Sequence, residues 1–422
     1  MQRWIFRPVY LVVVAALCAC SGATYQNGAS PLGAEFRSSG NAASSFQVLH
    51  TFEGGRDGAE PTADLVFVGG IAYGTTYAGG DNNDAGTVFS IDSNDPYSVL
   101  YRFVRHAPPG QHANPAGGLV PDDAGNFYGT TTEGGTMHQG TVYKVSARGK
   151  VTTLHTFTGP DGLFPYATLL RDARGNLYGT TEFGGTGCGS TGCGTVFKVD
   201  TRNRESVLYS FAGGSDGVDP FGGVVRDSHG NLFGTTSGGG SSNCAGEGCG
   251  IVYKIDSQGH ETILHRFTNG ADGGHPFDTL LQGSDGALYG TAESGGTVDG
   301  GLLFKMDKAG NETVLYNFLG GSDGFGPFGN VIRDAGGNFF GTTEFGGTSC
   351  TNTTYGCGTV FEYNANGTET ILYRFTGKRD GAQPVTDLVM DRRGYLYGTT
   401  EYAGDKECRS QVGCGVAFRL KR

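Results

Sequence analysis

Short runs of alternating apolar and polar residues, each bounded by Gly, Asp or Asn, fill the chain from about residue 46 to residue 420. In residues 165–219 the pattern predicts four strands, at about 167–171 (ATLLR), 176–181 (NLYGTT), 194–199 (GTVFKV) and 205–211 (ESVLYSF). Alternation over runs this short, rich in β-branched and aromatic residues, is the mark of half-buried strands. Between the first two strands, DARGN, DSHGN and DAGGN supply an Asp that accepts local N–H groups and a Gly free to take positive φ. No stretch of helical period competes with this reading.

The pattern repeats. An aromatic-Gly-Thr step recurs at Gly74, Gly129, Gly179, Gly234, Gly290, Gly341 and Gly398, between 50 and 57 residues apart. Seven units of four short strands predict an all-β, seven-bladed propeller, an architecture that leaves no long exposed edges. The ends of the chain test this against an open solenoid. The fourth-strand pattern occurs at 46–52, 97–103, 151–157, 205–211, 261–267, 312–318 and 369–375, so one copy precedes the first full unit. The last unit stops after its third strand, GVAFRLKR. The N-terminal strand is therefore expected to complete the last blade and close the ring, and a solenoid gives no reason for such a complement.

These units resemble the GloVer repeats of exported bacterial proteins. The features are Tyr178-Gly179-Thr180-Thr181, then Gly184-Gly185, then Gly194-Thr195-Val196-Phe197, repeated with variation from about 46 to 420. The resemblance implies a propeller, export and varied surface anchors; it implies no shared activity. The second unit departs most, with HAPPGQHANP in place of the usual Asp-Gly turn, and the fifth has Tyr289-Gly290-Thr291-Ala292 and GGLLF.

Composition narrows the setting. Glycine is 77 of 422 residues without a three-residue period, which excludes collagen. Residues 1–20 carry Arg3 and Arg7 before an apolar run too short for a stable transmembrane span, an export signal. Leu17-Cys18-Ala19-Cys20 resembles a bacterial lipobox, implying cleavage before Cys20 and lipidation of that residue, and Ser21 implies the outer membrane. Cleavage after Ala23, giving a periplasmic or secreted chain, is the alternative. The expected organisation is a signal peptide over 1–19, lipidated Cys20 and a polar tether over 20–45, and the propeller over 46–422. A net charge of −11 argues against a nucleic-acid partner. A monomer is expected.

Eight cysteines fall in four local pairs, Cys188/Cys193, Cys244/Cys249, Cys350/Cys357 and Cys408/Cys414, each between the second and third strands of its unit. The first, second and fifth units have shorter loops there and no cysteine. All-or-none pairing in an exported chain predicts disulfides, each clipping a long loop and stabilising a presented surface. Zinc would need four ligands per site, and no CxxC redox pair occurs. No cofactor or metal is expected: a Gly-rich phosphate cradle needs a strand–loop–helix setting that this pattern lacks. The Asp-Gly turns at Asp57, Asp161, Asp216, Asp272, Asp323 and Asp380 are read as geometric joints, with bound cations as the alternative.

Two sets of residues are candidates for ligand binding. Glu182, Glu293, Glu344 and Glu401, with Glu133 in a shifted frame, start the loop after the second strand and are expected as exposed carboxylates ringing one mouth of the channel. His106, His112 and His138 gather in the irregular second unit. The leading functional reading is an extracytoplasmic, membrane-anchored binding scaffold for a glycan or an envelope protein. The alternatives are a carbohydrate-active hydrolase or lyase using mouth carboxylates, and a purely structural envelope protein.

Overall fold

The computed structural model describes residues 46–422, apart from 81–83, 93–96, 105–111, 242–243, 245–247, 348–349, 351–354, 405–407 and 409–412; at His112 it describes the backbone alone. The signal segment, Cys20, the tether and His106 lie outside the described residues.

Seven four-stranded antiparallel sheets follow one another in order, numbered here as blades 1 to 7. Blade 3 comprises Leu170–Arg171, Leu177–Thr181, Thr195–Val199 and Glu205–Ser210. Blade 7 takes three strands from the C-terminus and its fourth, Phe46–Thr51, from the N-terminal end of the domain. The ring is thus closed as the repeat count predicts.

The expected first strands are longer than the observed ladders. Of 167–171 only Leu170–Arg171 pairs within its own sheet. The preceding residues bond to other blades, Ala167 O accepting from the Thr130 hydroxyl and Thr168 donating to Asp64 Oδ2, which the alternation pattern cannot distinguish from strand pairing.

Each letter of the repeat has a job in this geometry. A Cβ on Gly179 would lie 2.7 Å from the Phe197 ring, so this glycine makes room for the aromatic of its own third strand. Sequence pattern alone suggests close packing of adjacent blades at such glycines; the contact is instead within the blade. Thr180 donates its hydroxyl to Gly222 O in the next blade at 2.9 Å; the equivalent threonine makes the matching bond in six blades, and in the seventh Thr399 donates to Pro61 O of blade 1, two residues earlier. The second threonine, Thr181, pairs with the Thr195 hydroxyl at 2.8 Å and ties second strand to third.

Fourth strands carry a bulge at one constant place, shown by the register shift opposite the third strand in every blade. The extra residue there is always leucine (Leu208 in blade 3), and each packs against one of the apolar clusters. The aromatic that ends each fourth strand then meets the third-strand aromatic of the next blade edge-on. Centroid separations for Phe52–Phe89, Phe103–Tyr143, Phe157–Phe197, Phe211–Tyr253, Phe267–Phe304, Phe318–Phe361 and Phe375–Phe418 all fall between 5.0 and 5.4 Å. Such pairs contribute about 0.5–1.5 kcal/mol each beyond the area they bury. Seven alike, including Phe52–Phe89, where the ring after the N-terminal strand of blade 7 meets blade 1, hold the circle shut.

Candidate functional site

One joint repeated seven times builds the channel mouth. The residue before each blade-opening proline (Glu60, Asn114, Phe164, Asp219, His275, Gly326 and Gln383) adopts φ between 54° and 63°. This left-handed backbone turns both of its polar groups to use. Its N–H donates to the last loop carbonyl of the preceding blade (Cys193 O for Asp219, Cys249 O for His275, Cys414 O for Glu60), at 2.8–3.2 Å around the ring. Its own carbonyl accepts from the residue after the second threonine, as Phe164 O does from Glu182 N at 3.2 Å. That second residue is Tyr77, Thr132, Glu182, Ser237, Glu293, Glu344 or Glu401. The expected carboxylates are therefore fixed at the mouth by backbone bonds to the blade-opening turns.

Their environment differs from expectation. Glu182, Glu344 and Glu401 are buried, and Glu293 is nearly so. The backbone bond at each residue holds it down in the joint, whereas position in a Gly-rich loop suggests a free, solvated side chain. Burial raises the Glu182 carboxyl to about 8, with repulsion from Asp219 adding to it. Burial likewise raises Glu401 to about 8, helped by Glu60 and opposed by a hydrogen bond from Tyr402. Glu293 rises to about 7 through burial and Asp299. Glu344 is pushed well above the carboxylate range by burial and by Glu293 and Glu401, while accepting from Gln383 Nε2 at 2.8 Å. Near neutral pH Glu182, Glu344 and Glu401 are thereby favoured as uncharged acids able to donate as well as accept, while Glu293 stands between its two forms.

Phenols complete two clusters. Tyr402 hydrogen-bonds Glu401 and lies near Glu60 and Glu344. Tyr166 hydrogen-bonds Tyr77 and lies near Glu182 and Glu133. Glu133 itself is half-buried in a two-residue ladder with Ala113.

Below the acids, one side of the mouth is aromatic. The residue after the opening proline is Tyr166, Phe221, Phe277 and Phe328 in blades 3 to 6, but Val385, Thr62 and Ala116 in blades 7, 1 and 2. Tyr166 stacks on Phe221 at 4.7 Å, Phe277 on Phe328 at 5.0 Å, and Phe221 meets Phe277 edge-on at 5.8 Å. Tyr166, Phe221 and Phe277 remain half-buried. The mouth is lopsided, with an aromatic shelf facing small side chains.

The neck holds acids that sequence inspection passed over. Asp64, Asp278 and Asp387 come from the inner segments of blades 1, 5 and 7. Asp64 Oδ1 accepts from Asp387 N at 2.9 Å and its Oδ2 from the Thr168 hydroxyl at 3.0 Å. Asn330 N donates to Asp387 Oδ1 at 2.6 Å and Asp278 Oδ2 at 3.1 Å. Asp278 and Asp387 lie close together, and burial and repulsion from Asp278 and Asp64 push Asp387 well up. Burial, then Asp278, raises Asp64 to about 6. A signal was present: equivalent positions in other units are mostly Gly, Ala, Thr or Asn, and a residue that breaks a repeat is a better site candidate than one that follows it.

All four expected cystines are formed, Cys188–Cys193, Cys244–Cys249, Cys350–Cys357 and Cys408–Cys414, with Cα–Cα distances of 5.3, 5.3, 5.2 and 5.7 Å. Their setting corrects the expectation of clips on a presented surface. Cys193, Cys249, Cys357 and Cys414 are buried, as are Cys244 and Cys408, and these six pack within the apolar clusters; Cys188 alone of the eight is exposed. The physical reason is the joint just described. The carbonyl of the second cysteine must reach the next blade's opening turn, which draws the bridge inward beneath that turn. A Cβ on Gly54 would lie 3.2 Å from Cys414 Sγ, and one on Gly213 2.6 Å from Cys188 Sγ, so glycine at the turn makes room for the sulfur.

The remaining candidates separate. His138 is exposed and has φ 57°, the left-handed loop corner that Asp84 and Asp299 occupy in blades 1 and 5. His106 and the His112 side chain lie outside the described residues; the His112 backbone pairs with Gly134. The Asp-Gly turns act as caps: Asp161 accepts from Thr158 N at 2.8 Å and its hydroxyl at 3.0 Å, and Asp380 repeats this with Thr376 at 2.9 and 2.6 Å.

The Gloeobacter/Verrucomicrobia repeat matches residues 19–191, 84–247 and 245–421. The chain belongs to that family. No curated protein matches it in sequence. Among solved structures, this Gloeobacter/Verrucomicrobia repeat protein is similar to a streptogramin B lyase, at 12% identity and a TM-score of 0.56 over 89% of this chain and 98% of the other. It is also similar to the extracellular domain of a one-component system from B. thetaiotaomicron, at 12% identity and a TM-score of 0.54, over 90% of this chain and 42% of that one. At such identities the likeness is one of fold.

Proposed function

We propose that this protein is an exported propeller that binds a neutral glycan at the lopsided mouth and is held to the outer membrane through lipid on Cys20. One observation carries the ligand class: buried, largely uncharged carboxyls and phenols stand beside a half-buried aromatic shelf. Sugars present apolar C–H faces that stack on rings and hydroxyls that both donate and accept. Carboxyls held neutral suit hydroxyls better than cations. Four cystines fit an oxidising, extracytoplasmic compartment, and the lipobox supports the anchor. An envelope protein as partner would not require the acids to be uncharged.

A glycan array probed with the folded domain, followed by calorimetry on any hit, tests this. Phe277→Ala and Glu401→Gln are expected to weaken binding at least tenfold while the cystines remain formed. Binding unchanged in both, or no glycan bound at all, would overturn it.

A second reading rests on the neck. Asp278 and Asp387 are close and buried where most units carry Gly, Ala, Thr or Asn, and one proton held between them would suit acid–base hydrolysis or lysis. Product analysis on the bound glycan decides: turnover lost in Asp387→Asn makes the protein an enzyme, and binding without products leaves it a binding module.

A further inference from the structure

The outer rim has a second repeated constellation. Where one blade's fourth strand passes the next, three positions meet: the His or Tyr two residues before the terminal Phe, the Asp of the Asp-Gly turn, and the first residue of the next fourth strand. Between blades 3 and 4 they are Tyr209, Asp216 and Glu261, and the phenol donates to both acids, at 2.7 and 3.4 Å. Between blades 5 and 6 they are Tyr316, Asp323 and Glu369, with Tyr316 donating to Asp323 at 2.9 Å. Where the third position is aromatic, rings stack instead: His50 on Tyr97 at 3.6 Å and Phe46 on Tyr373 at 3.8 Å.

Two joints carry a different set. Between blades 2 and 3, His155 Nε2 lies 2.9 Å from Asp161 Oδ2, and one ligand atom from each of His155, Asp161 and Glu205 falls within 4.8 Å of the others. Between blades 4 and 5, His265 Nε2 lies 3.3 Å from Asp272 Oδ2 and Glu312 stands against Asp272, but the three ligand atoms do not gather within that 4.8 Å. Glu205 Oε1 is shut off from solvent without a hydrogen-bond partner, as are the equivalent Glu261, Glu312 and Glu369 oxygens at the other joints.

We propose that the joint between blades 2 and 3 binds a divalent transition metal ion of the zinc class, stapling one blade to the next. An imidazole nitrogen with two carboxylate oxygens is a common three-ligand set for such an ion, water filling the open position. A phenol is a poor ligand for it, so the Tyr joints stay metal-free. The His50 joint, with Asp57 but Tyr97 in place of the second acid, is an internal control.

The fold supplies its own test substitution, since tyrosine already fills this position in four blades (Tyr101, Tyr209, Tyr316 and Tyr373). Untagged, chelator-treated protein titrated with zinc chloride by calorimetry is expected to take up one equivalent. His155→Tyr should abolish this uptake and His265→Tyr leave it unchanged, with far-UV circular dichroism unchanged in both. Zinc should raise the Tm of the parent by a few degrees and leave His155→Tyr unmoved. Uptake unchanged in His155→Tyr, or no saturable uptake by the parent, would overturn the proposal.

Discussion

Blades 3, 4, 6 and 7 hold the loop between their second and third strands with a cystine, whereas blades 1 and 5 hold a shorter one with a single carboxylate. Asp84 Oδ1 accepts from Gly79 N at 2.6 Å, and Asp299 Oδ1 from Gly295 N at 2.8 Å. In the cystine blades the residues at the two loop ends bridge directly, as Gly184 does with Gly192 and Ala403 with Gly413. Both devices deliver the same result, a last loop carbonyl placed to accept from the next blade: Ala85 O from Asn114 N at 2.8 Å, Cys414 O from Glu60 N at 3.0 Å. What the fold requires is the position of that carbonyl. The cystine is one of two interchangeable means of holding it, which is why the cysteines point to durability rather than chemistry.

The comparison breaks most completely at what the two kinds of blade share. A Cβ on Gly194, in a cystine blade, would lie 2.3 Å from Pro220 Cδ of the next blade; on Gly86, in a short-loop blade, 2.6 Å from Pro115 Cδ. Their φ values are 97° and 90°, where a side chain adds strain to the clash. Gly194→Ala and Gly86→Ala are expected to be equally damaging, at about 3 kcal/mol or more, seen as loss of soluble folded protein or a collapse of Tm. Damage at Gly194 alone would show the joints to be unlike.

The next effect lies in the acids that begin these loops. Glu182 and Glu401 in cystine blades stand near 8, against an ordinary 4.5. An acid whose folded value is raised binds its proton more tightly in the folded state. The stability tied to protonation is therefore complete below about pH 4.5 and is lost as pH rises through 8. Thermal melts should show Tm falling from pH 5 to pH 9, as about a few kcal/mol of stability is lost in all. Glu182→Gln and Glu401→Gln should flatten the curve, and Glu293→Gln, in short-loop blade 5, should flatten it less. A Tm that rises over this range would contradict the buried, uncharged acids.

Smaller effects separate the two clamps. Replacing Cys188 and Cys193 together by Ser should cost on the order of 2 kcal/mol by loop entropy. The Cys408 and Cys414 pair, buried at both ends, should cost more when replaced in the same way. Asp84→Ala or Asp299→Ala should cost about 1 kcal/mol, the loss of one charge-assisted bond. All are read from chemical denaturation, and an Asp variant costlier than either cystine variant would reverse the ranking.

Legibility followed repetition. The seven YGTT and GTVF copies, the four cysteine pairs and the missing last strand could be read as text, because a feature needed at every joint appears at every joint. Burial of Glu182 and Glu401 could not: it depends on a backbone bond to Phe164 or Gln383, residues whose left-handed φ is written in no single residue type. Burial of Cys414 was hidden for the same reason, since its carbonyl answers to Glu60 at the other end of the chain. The aromatic shelf was hidden because Tyr166, Phe221, Phe277 and Phe328 are widely separated in sequence and look like ordinary strand residues. Asp64, Asp278 and Asp387 were in plain view as breaks in the repeat, yet two fall on one register position and the third one residue earlier.

The sequence by itself determined the blade count, the closure, the disulfide partners and the placement of Glu residues at one mouth, since local alternation and repeat spacing suffice for these. The tertiary structure alone decided how far each carboxyl and cystine is buried, which rings meet across four blades and which acids are brought together at the neck. Those are contacts between residues tens to hundreds of positions apart, such as Asp64 with Asp387, and only the curvature of seven packed sheets sets their distances and their dielectric surroundings.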